Sequence, residues 1–257
     1  MYIFRRIYIR NNEKILYLHI FLTSHKLMKK CIFTFVLSLV AMTFFSCTKE
    51  KKSNIVLNYY NFSLADESQL KNGAVAKDGY LCLNTDSAYF DMTEEAGKVM
   101  SELTDFSIFA RYMIDDSVKV EGYGYFLWCF STLEANAEKE GPYHAYRINE
   151  QRCETSIGGW SQETGIQKSE ASELGRWITV VFRQKEGHGE LYIDGELIGA
   201  EDGFPNPKDI FTEAPAFNWL GRAPFNGDKY LTHTTISDFY VYGECISDEE
   251  LYRLTGK

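Results

Sequence analysis

Proline, histidine and helix-forming text are all scarce in this chain. Among 257 residues there are 5 prolines and 5 histidines. Beyond position 46 the histidines are His144, His188 and His233, spread too widely to suggest a metal triad. No Cys-x-x-Cys pair occurs, which removes zinc ribbons and thioredoxin-like redox sites. No nucleophile elbow, phosphate loop or dinucleotide fingerprint is present. Positive charge is short as well. Residues 1–46 hold seven Lys and Arg and one acid, leaving 20 basic against 35 acidic residues from position 47 onward. Such a surface repels phosphate backbones and excludes nucleic acid as a partner.

Aromatic residues are abundant: 17 Tyr, 18 Phe and 4 Trp. They favour strands and make stacking surfaces. Near the start, Met28-Lys29-Lys30 is a short basic segment, and Cys31 to Phe45 is apolar but for Thr34, Ser38 and Thr43. This is the pattern of a secretory signal, too short for a transmembrane span. Ser46-Cys47 at its end resembles the bacterial lipobox, in which the Cys thiol is acylated and becomes the new N-terminus. Phe44 and Phe45 depart from the usual residues there. The expected organisation is an upstream extension over 1–27 from a start called too early, a lipoprotein signal peptide over 28–46, a polar tether over 47–54, and one domain over 55–257. A lipid anchor on Cys47 would make the membrane a partner and the outer membrane the expected location, because Thr48 is not a retention Asp.

From Ile55 the text reads as short strands and turns. Phe106–Ile114 alternates two apolar-rich faces, Tyr123–Phe130 is nearly continuously apolar, and Tyr143–Asn149 and Arg152–Ile157 alternate again. Asp194-Gly195 between two apolar runs predicts a type I′ hairpin turn. Ser247 with Glu250 predicts a capping box, and Thr93–Leu103 a short helix. Ten or more short strands in one stretch predict an all-β, two-sheet antiparallel sandwich.

Five pieces carry a family resemblance: Asn58–Asp66, Leu103–Ile108, Leu174–Val181, Leu191–Gly195, and the closing set Asn218–Arg222, Ile236–Tyr242 and Ser247–Leu251. Their order and spacing resemble the laminin-G-like jelly rolls of the concanavalin A-like lectin/glucanase superfamily, especially those attached to bacterial arabinan- and xylan-active hydrolases. The resemblance implies a jelly roll and an oligo- or polysaccharide partner. It also implies a core role for Trp177 and a structural Ca²⁺ between Asp66 and Asp238. It does not fix a function, since jelly rolls host lectins, hydrolases, lyases and structural modules.

Catalytic residues are not evident. The strand signature Glu-x-Asp-x-x-Glu of jelly-roll glucanases is missing, and the acid pairs Glu94-Glu95, Glu201-Asp202 and Asp248-Glu249-Glu250 read as turns and helix starts. His144 beside Tyr143, Tyr146 and Arg147 uses residue types of some jelly-roll lyases without any geometry to support it. Cys82, Cys129, Cys153 and Cys245 read as thiols rather than disulfides. A ligand surface is expected from Trp160, in a Gly-Gly-Trp turn, with Tyr146, Arg147 and Arg152 on one hairpin, and Trp219 with Arg222 across a groove. Arg147 and Arg152 would face each other, paired with Glu150 or Glu154 at the surface or free for a ligand. The leading reading is a non-catalytic glycan-binding module. The rivals are a jelly-roll hydrolase or lyase, and a protein-interaction module of an envelope complex.

Overall fold

The computed structural model describes residues 8–11, 14–17, 54–59, 61–133, 140–222 and 224–257. The chain divides into two units, Met1–Lys52 and Ser53–Lys257. In the first, strands β1 (Tyr8–Asn11) and β2 (Lys14–Tyr17) pair antiparallel. The 28–46 segment, Cys47 and the tether up to Ser53 lie outside the described residues.

The second unit is mostly strand. In chain order it holds β3 (Ile55–Tyr59), β4 (Leu70–Lys71), β5 (Ala74–Lys77), β6 (Tyr80–Leu83), β7 (Tyr89–Asp91), helix α1 (Thr93–Met100), β8 (Phe106–Ile114) and β9 (Phe126–Ser131). There follow β10 (Tyr143–Arg147), β11 (Arg152–Ser156), β12 (Glu163–Gln167), β13 (Trp177–Lys185), β14 (His188–Ile193), β15 (Glu196–Asp202), the single turn α2 (Pro207–Ile210), β16 (Phe217–Leu220), β17 (Thr234–Tyr242) and α3 (Asp248–Thr255). One sheet has seven strands in the order β12-β11-β10-β9-β16-β7-β4. The other has eight, β15-β14-β13-β8-β17-β6-β5, with β3 also paired to β17. Strand pairing within both sheets is antiparallel, as a jelly-roll sandwich requires.

Period-two alternation builds the core. Phe106, Ile108 and Tyr112 of β8 and Ile178, Val180 and Phe182 of β13 face Trp128, Phe130 and Tyr146 of the opposite sheet, all fully buried. Phe239 of β17 touches the rings of Trp128 and Phe130 at centroid distances of 6.0 and 6.5 Å, so it joins the two layers. Burying one such ring contributes about 2–3 kcal/mol. At one margin the layers meet where Ile166 of β12 packs on Gly199 of β15; a Cβ there would sit 2.9 Å from Ile166 Cγ2. At the other margin the chain steps from β4 in one sheet to β5 in the other through Asn72-Gly73.

Asp194 and Gly195 both have positive φ, 50° and 70°, as the hairpin turn demands. Gly195 is also needed for space, since a Cβ would lie 2.6 Å from Thr255 Oγ1 at the end of α3. Ser247 Oγ accepts from Glu250 N and starts α3. That helix sets Ile246 and Leu251 against Phe109, Val181 and Tyr242 on the outer face of the eight-stranded sheet. Cys82, Cys129, Cys153 and Cys245 are free thiols. Trp128 is in the core, but Trp177 is not: it lies half-buried on the outer face, with the Arg111 guanidinium 4.2 Å from its ring centre and Tyr80 at 5.8 Å. Strand parity explains the correction. Ile178, Val180 and Phe182 take the inward positions of β13, so Trp177 must point out.

Candidate functional site on the outer face of the seven-stranded sheet

The β10–β11 hairpin forms with Arg147 opposite Arg152, Ala145 opposite Glu154 and Tyr143 opposite Ser156. The next strand sets Glu163 opposite Ser156 and Gly165 opposite Glu154. Counting by twos places Tyr143, Arg147, Arg152, Glu154 and Glu163 on the outer face, and His144, Tyr146 and Cys153 on the core face.

The outer residues form one network. Arg152 spends all three nitrogens: Nε lies 2.6 Å from Glu154 Oε2, Nη1 donates to Gln167 Oε1 at 2.8 Å, and Nη2 donates to Glu163 Oε2 at 2.8 Å. Glu163 Oε1 accepts from the Tyr143 hydroxyl. Arg147 Nη2 pairs with Glu150 Oε2 at 2.8 Å, and its Nε stands 3.6 Å from Glu154 Oε2. Glu154 is fully buried, and its Oε1 has no hydrogen-bond partner. The expected surface ion pair is therefore a buried one. Loss of water pushes the Glu154 carboxyl up to about 8, against the pull of Arg147 and Arg152. Burial likewise raises the Tyr143 hydroxyl, helped by Glu154 and Glu163. It raises Asp228 too, opposed by the nearby Arg147 charge.

An aromatic border lies beside this network. Trp160 opens a 3-10 turn, Trp160–Gln162, after Gly159 and remains 48% exposed. Its ring meets Phe225 edge-on at 5.6 Å, and Phe225 in turn meets Tyr143 at 5.3 Å and Phe126 at 6.0 Å. Beyond Asp228 opens a cavity of about 420 Å³ lined by Asp86, Tyr125, Lys229 and Tyr230 among others, within the size range of small-ligand pockets.

Two expected ligand contacts are placed elsewhere. Tyr146 is fully buried between the sheets, stacked on Trp128 at 4.9 Å, because it has the opposite parity to Arg147. Trp219 does point outward but is only 3% exposed: Phe217 and Tyr89 flank it at 5.0 and 6.0 Å, and the Arg222 guanidinium covers it at 4.0 Å. Arg222 is spent on that ring and on Tyr89 and Tyr230, so the pair is a packing element of this face and offers no open platform. His144 faces the core, bonded through Nδ1 to Thr155 Oγ1 at 2.9 Å, and burial pulls it down to about 3, so it stays neutral.

The two aspartates implied for calcium share no partner. Asp66 caps a 3-10 turn through Ser68 N and Gln69. Asp238 accepts from Ser237 Oγ at 2.6 Å and Tyr240 Oη at 2.9 Å. Each carboxylate accepts hydrogen bonds from its own neighbours.

The sequence reading missed Glu163, Phe225 and Asp228, and named Tyr143 only as a neighbour of His144. Glu163 belongs to a strand with one buried apolar residue, Ile166, too little alternation to register. Phe225 and Asp228 come from a loop with no periodic signal.

Comparison with known proteins fits this architecture. No curated protein sequence matches the chain. Domain 4 of an extracellular family GH43 arabinanase from Geobacillus stearothermophilus, in complex with arabinotriose, superposes with a TM-score of 0.58 at 14% identity, covering 80% of this chain and 100% of that one. The Ruminococcus gnavus IT-sialidase CBM40 bound to α2,3-sialyllactose gives 0.50 at 16% identity, covering 68% and 95%. The leech intramolecular trans-sialidase gives 0.51 at 19%, covering 69% of this chain and 27% of that one. At such identities the likeness is one of fold. Residues 105–252 match the laminin G-type family model of the Concanavalin A-like lectin/glucanases superfamily, and because that stretch is more than half of the chain, the protein belongs to that family.

Proposed function

We propose that the domain is a non-catalytic carbohydrate-binding module of a cell-envelope lipoprotein, holding an oligo- or polysaccharide on the outer face of the seven-stranded sheet. The observation that carries this is the half-exposed Trp160 set beside a fixed network of hydrogen-bonding groups. A large aromatic left open at the end of a Gly-Gly turn needs a partner, and a sugar face against an indole supplies one. Arg147, Glu163 and Asp228 then give directional polar contacts around it. Support comes also from the fold, since the arabinanase domain and the CBM40 of similar architecture are described with bound oligosaccharides.

Trp160→Ala and Arg147→Ala are each expected to weaken glycan binding about tenfold, the equivalent of ~1.4 kcal/mol. Calorimetry against a ligand identified on a glycan array measures this. Unchanged affinity in both variants would move the site off this face, and no binding to any glycan would favour a protein-interaction module.

The anchor is the second part of the proposal. Acylation of Cys47 would hold the module on the outer membrane, since two or three chains give stable attachment where one does not. Cys47→Ala is expected to leave the detergent phase in a partitioning experiment. Equal partitioning of both proteins argues against the anchor.

A further inference from the structure

The charges around Trp160 say which sugars that face would take; this rests on the glycan-binding reading above. A carboxylated sugar is held by an open guanidinium fork. None is open here. Arg152 is spent on Glu154, Glu163 and Gln167. Arg147 is held by Glu150 and faces Glu154 and Asp228. Arg222 lies over three aromatic rings.

Carboxylates outnumber these guanidiniums. Glu150, Glu154 and Glu163 sit in the network, Asp228 stands within reach of Arg147, and the Glu140 carboxylate packs against Gly159 next to Trp160. Even with Glu154 protonated the cluster keeps an excess negative charge. Two of its acceptors, Glu154 Oε1 and Asn149 Oδ1, are buried without a hydrogen-bond partner, while the Nε groups of Arg147 and Arg152 face Glu154 Oε2. Hydroxyl groups donate to accessible carboxylates, whereas a ligand carboxylate adds more acceptors and more negative charge.

We infer that this face selects neutral, hydroxyl-rich glycans and rejects sialylated or uronic-acid-bearing ones. The geometry leaves a neutral sugar two kinds of contact, its apolar face on Trp160 and its hydroxyls on Arg147, Glu163 and Asp228. A carboxylated sugar reaching Arg147 would have to compete with Glu150 for it.

The test uses matched pairs differing only in the acidic unit: lactose with 3′-sialyllactose, and xylotriose with its glucuronic-acid-substituted counterpart, alongside arabinotriose. Affinities are measured by calorimetry on the intact domain and on Glu163→Gln combined with Asp228→Asn. The neutral member of a bound pair is expected to bind about tenfold tighter than its acidic partner, and the double substitution to narrow that gap. Tighter binding of 3′-sialyllactose than of lactose, weakened by salt, overturns the inference while leaving glycan binding intact. A neutral preference that the double variant does not narrow assigns it to another surface and overturns the inference too. No binding to any of these sugars, nor to any glycan on an array, removes the glycan-binding reading and the inference with it.

Discussion

Each sheet carries an Arg–Glu cluster on its outer face, and the two clusters do different work. On the eight-stranded sheet, Arg183 pairs with Glu190 and with Asp248 at 2.7 Å, donates to Tyr192 Oη at 2.9 Å, and reaches the Ile246 carbonyl at 3.1 Å. Asp248 is the first residue of α3, so this arginine tethers the helix to the sheet. Its carboxylate partners reach water, and no oxygen is stranded. On the seven-stranded sheet the central carboxylate, Glu154, is sealed from water with one oxygen unpaired. The same residue types thus make a fastening on one side and an electrostatically strained site on the other. Burial decides the difference, because an ion pair near water gains little and loses little, while a buried carboxylate depends on its partner.

Removing one arginine from each cluster tests this most severely. Arg152→Ala is expected to cost about 3 kcal/mol in urea denaturation at alkaline pH, where Glu154 is left charged and buried. The loss should shrink in mild acid, where Glu154 takes a proton instead. Arg183→Ala is expected to cost only about 1 kcal/mol, with little pH dependence. Equal losses would break the contrast.

The pH profile of the unaltered domain sharpens it. Glu154, held up to about 8, keeps its proton more firmly when folded. Its contribution is whole below the ordinary glutamate value of about 4.3 and is lost as pH rises through about 8, at about 1.4 kcal/mol per pH unit between the two. His144, pulled down to about 3, works in the opposite direction. Its contribution is whole above the ordinary histidine value of about 6.5 and is lost as pH falls toward about 3. The two slopes cancel between about 4.3 and about 6.5, so a plateau is expected there, followed by a decline toward about 8. Glu154→Gln should abolish the alkaline decline and leave the acid limb. A decline that persists in that variant would locate its cause elsewhere.

Thiol labelling gives the smallest effect. Cys129 lies fully buried on the seven-stranded side, its thiol raised by burial and by Glu154, whereas Cys245 is half-buried beside the Arg183 cluster. Cys245 should label slowly in the native state and Cys129 only on unfolding, as mass spectrometry of timed samples would record.

Much of the fold was legible because its rules are local. Asp194-Gly195, the Ser247 cap and the alternation of β8 each follow from one residue and its neighbours. The pairing of Arg147 with Arg152 was legible for the same reason, since a short turn sets its register. What failed was the choice of face. Each side of β13 carries apolar residues, Val181 on the outside being covered by α3, so Trp177 could be assigned to either. Tyr146 and Arg147 are adjacent in sequence, yet strand parity sends one to the core and the other to the site. Glu154 read as a surface residue because nothing in the sequence reveals that Arg147 and Arg152 lie over it.

The contact of Ile166 with Gly199 bears on solubility. A sandwich has two open flanks, and an unpaired strand there invites a second chain to add on and continue the sheet. Here β12 and β15 lean together over a residue without a side chain, while the step from β4 to β5 turns the opposite flank into a corner. A side chain at position 199 would press on Ile166 and force that contact to shift, loosening the first flank. Self-association, rather than loss of binding, would be the first symptom of such a change.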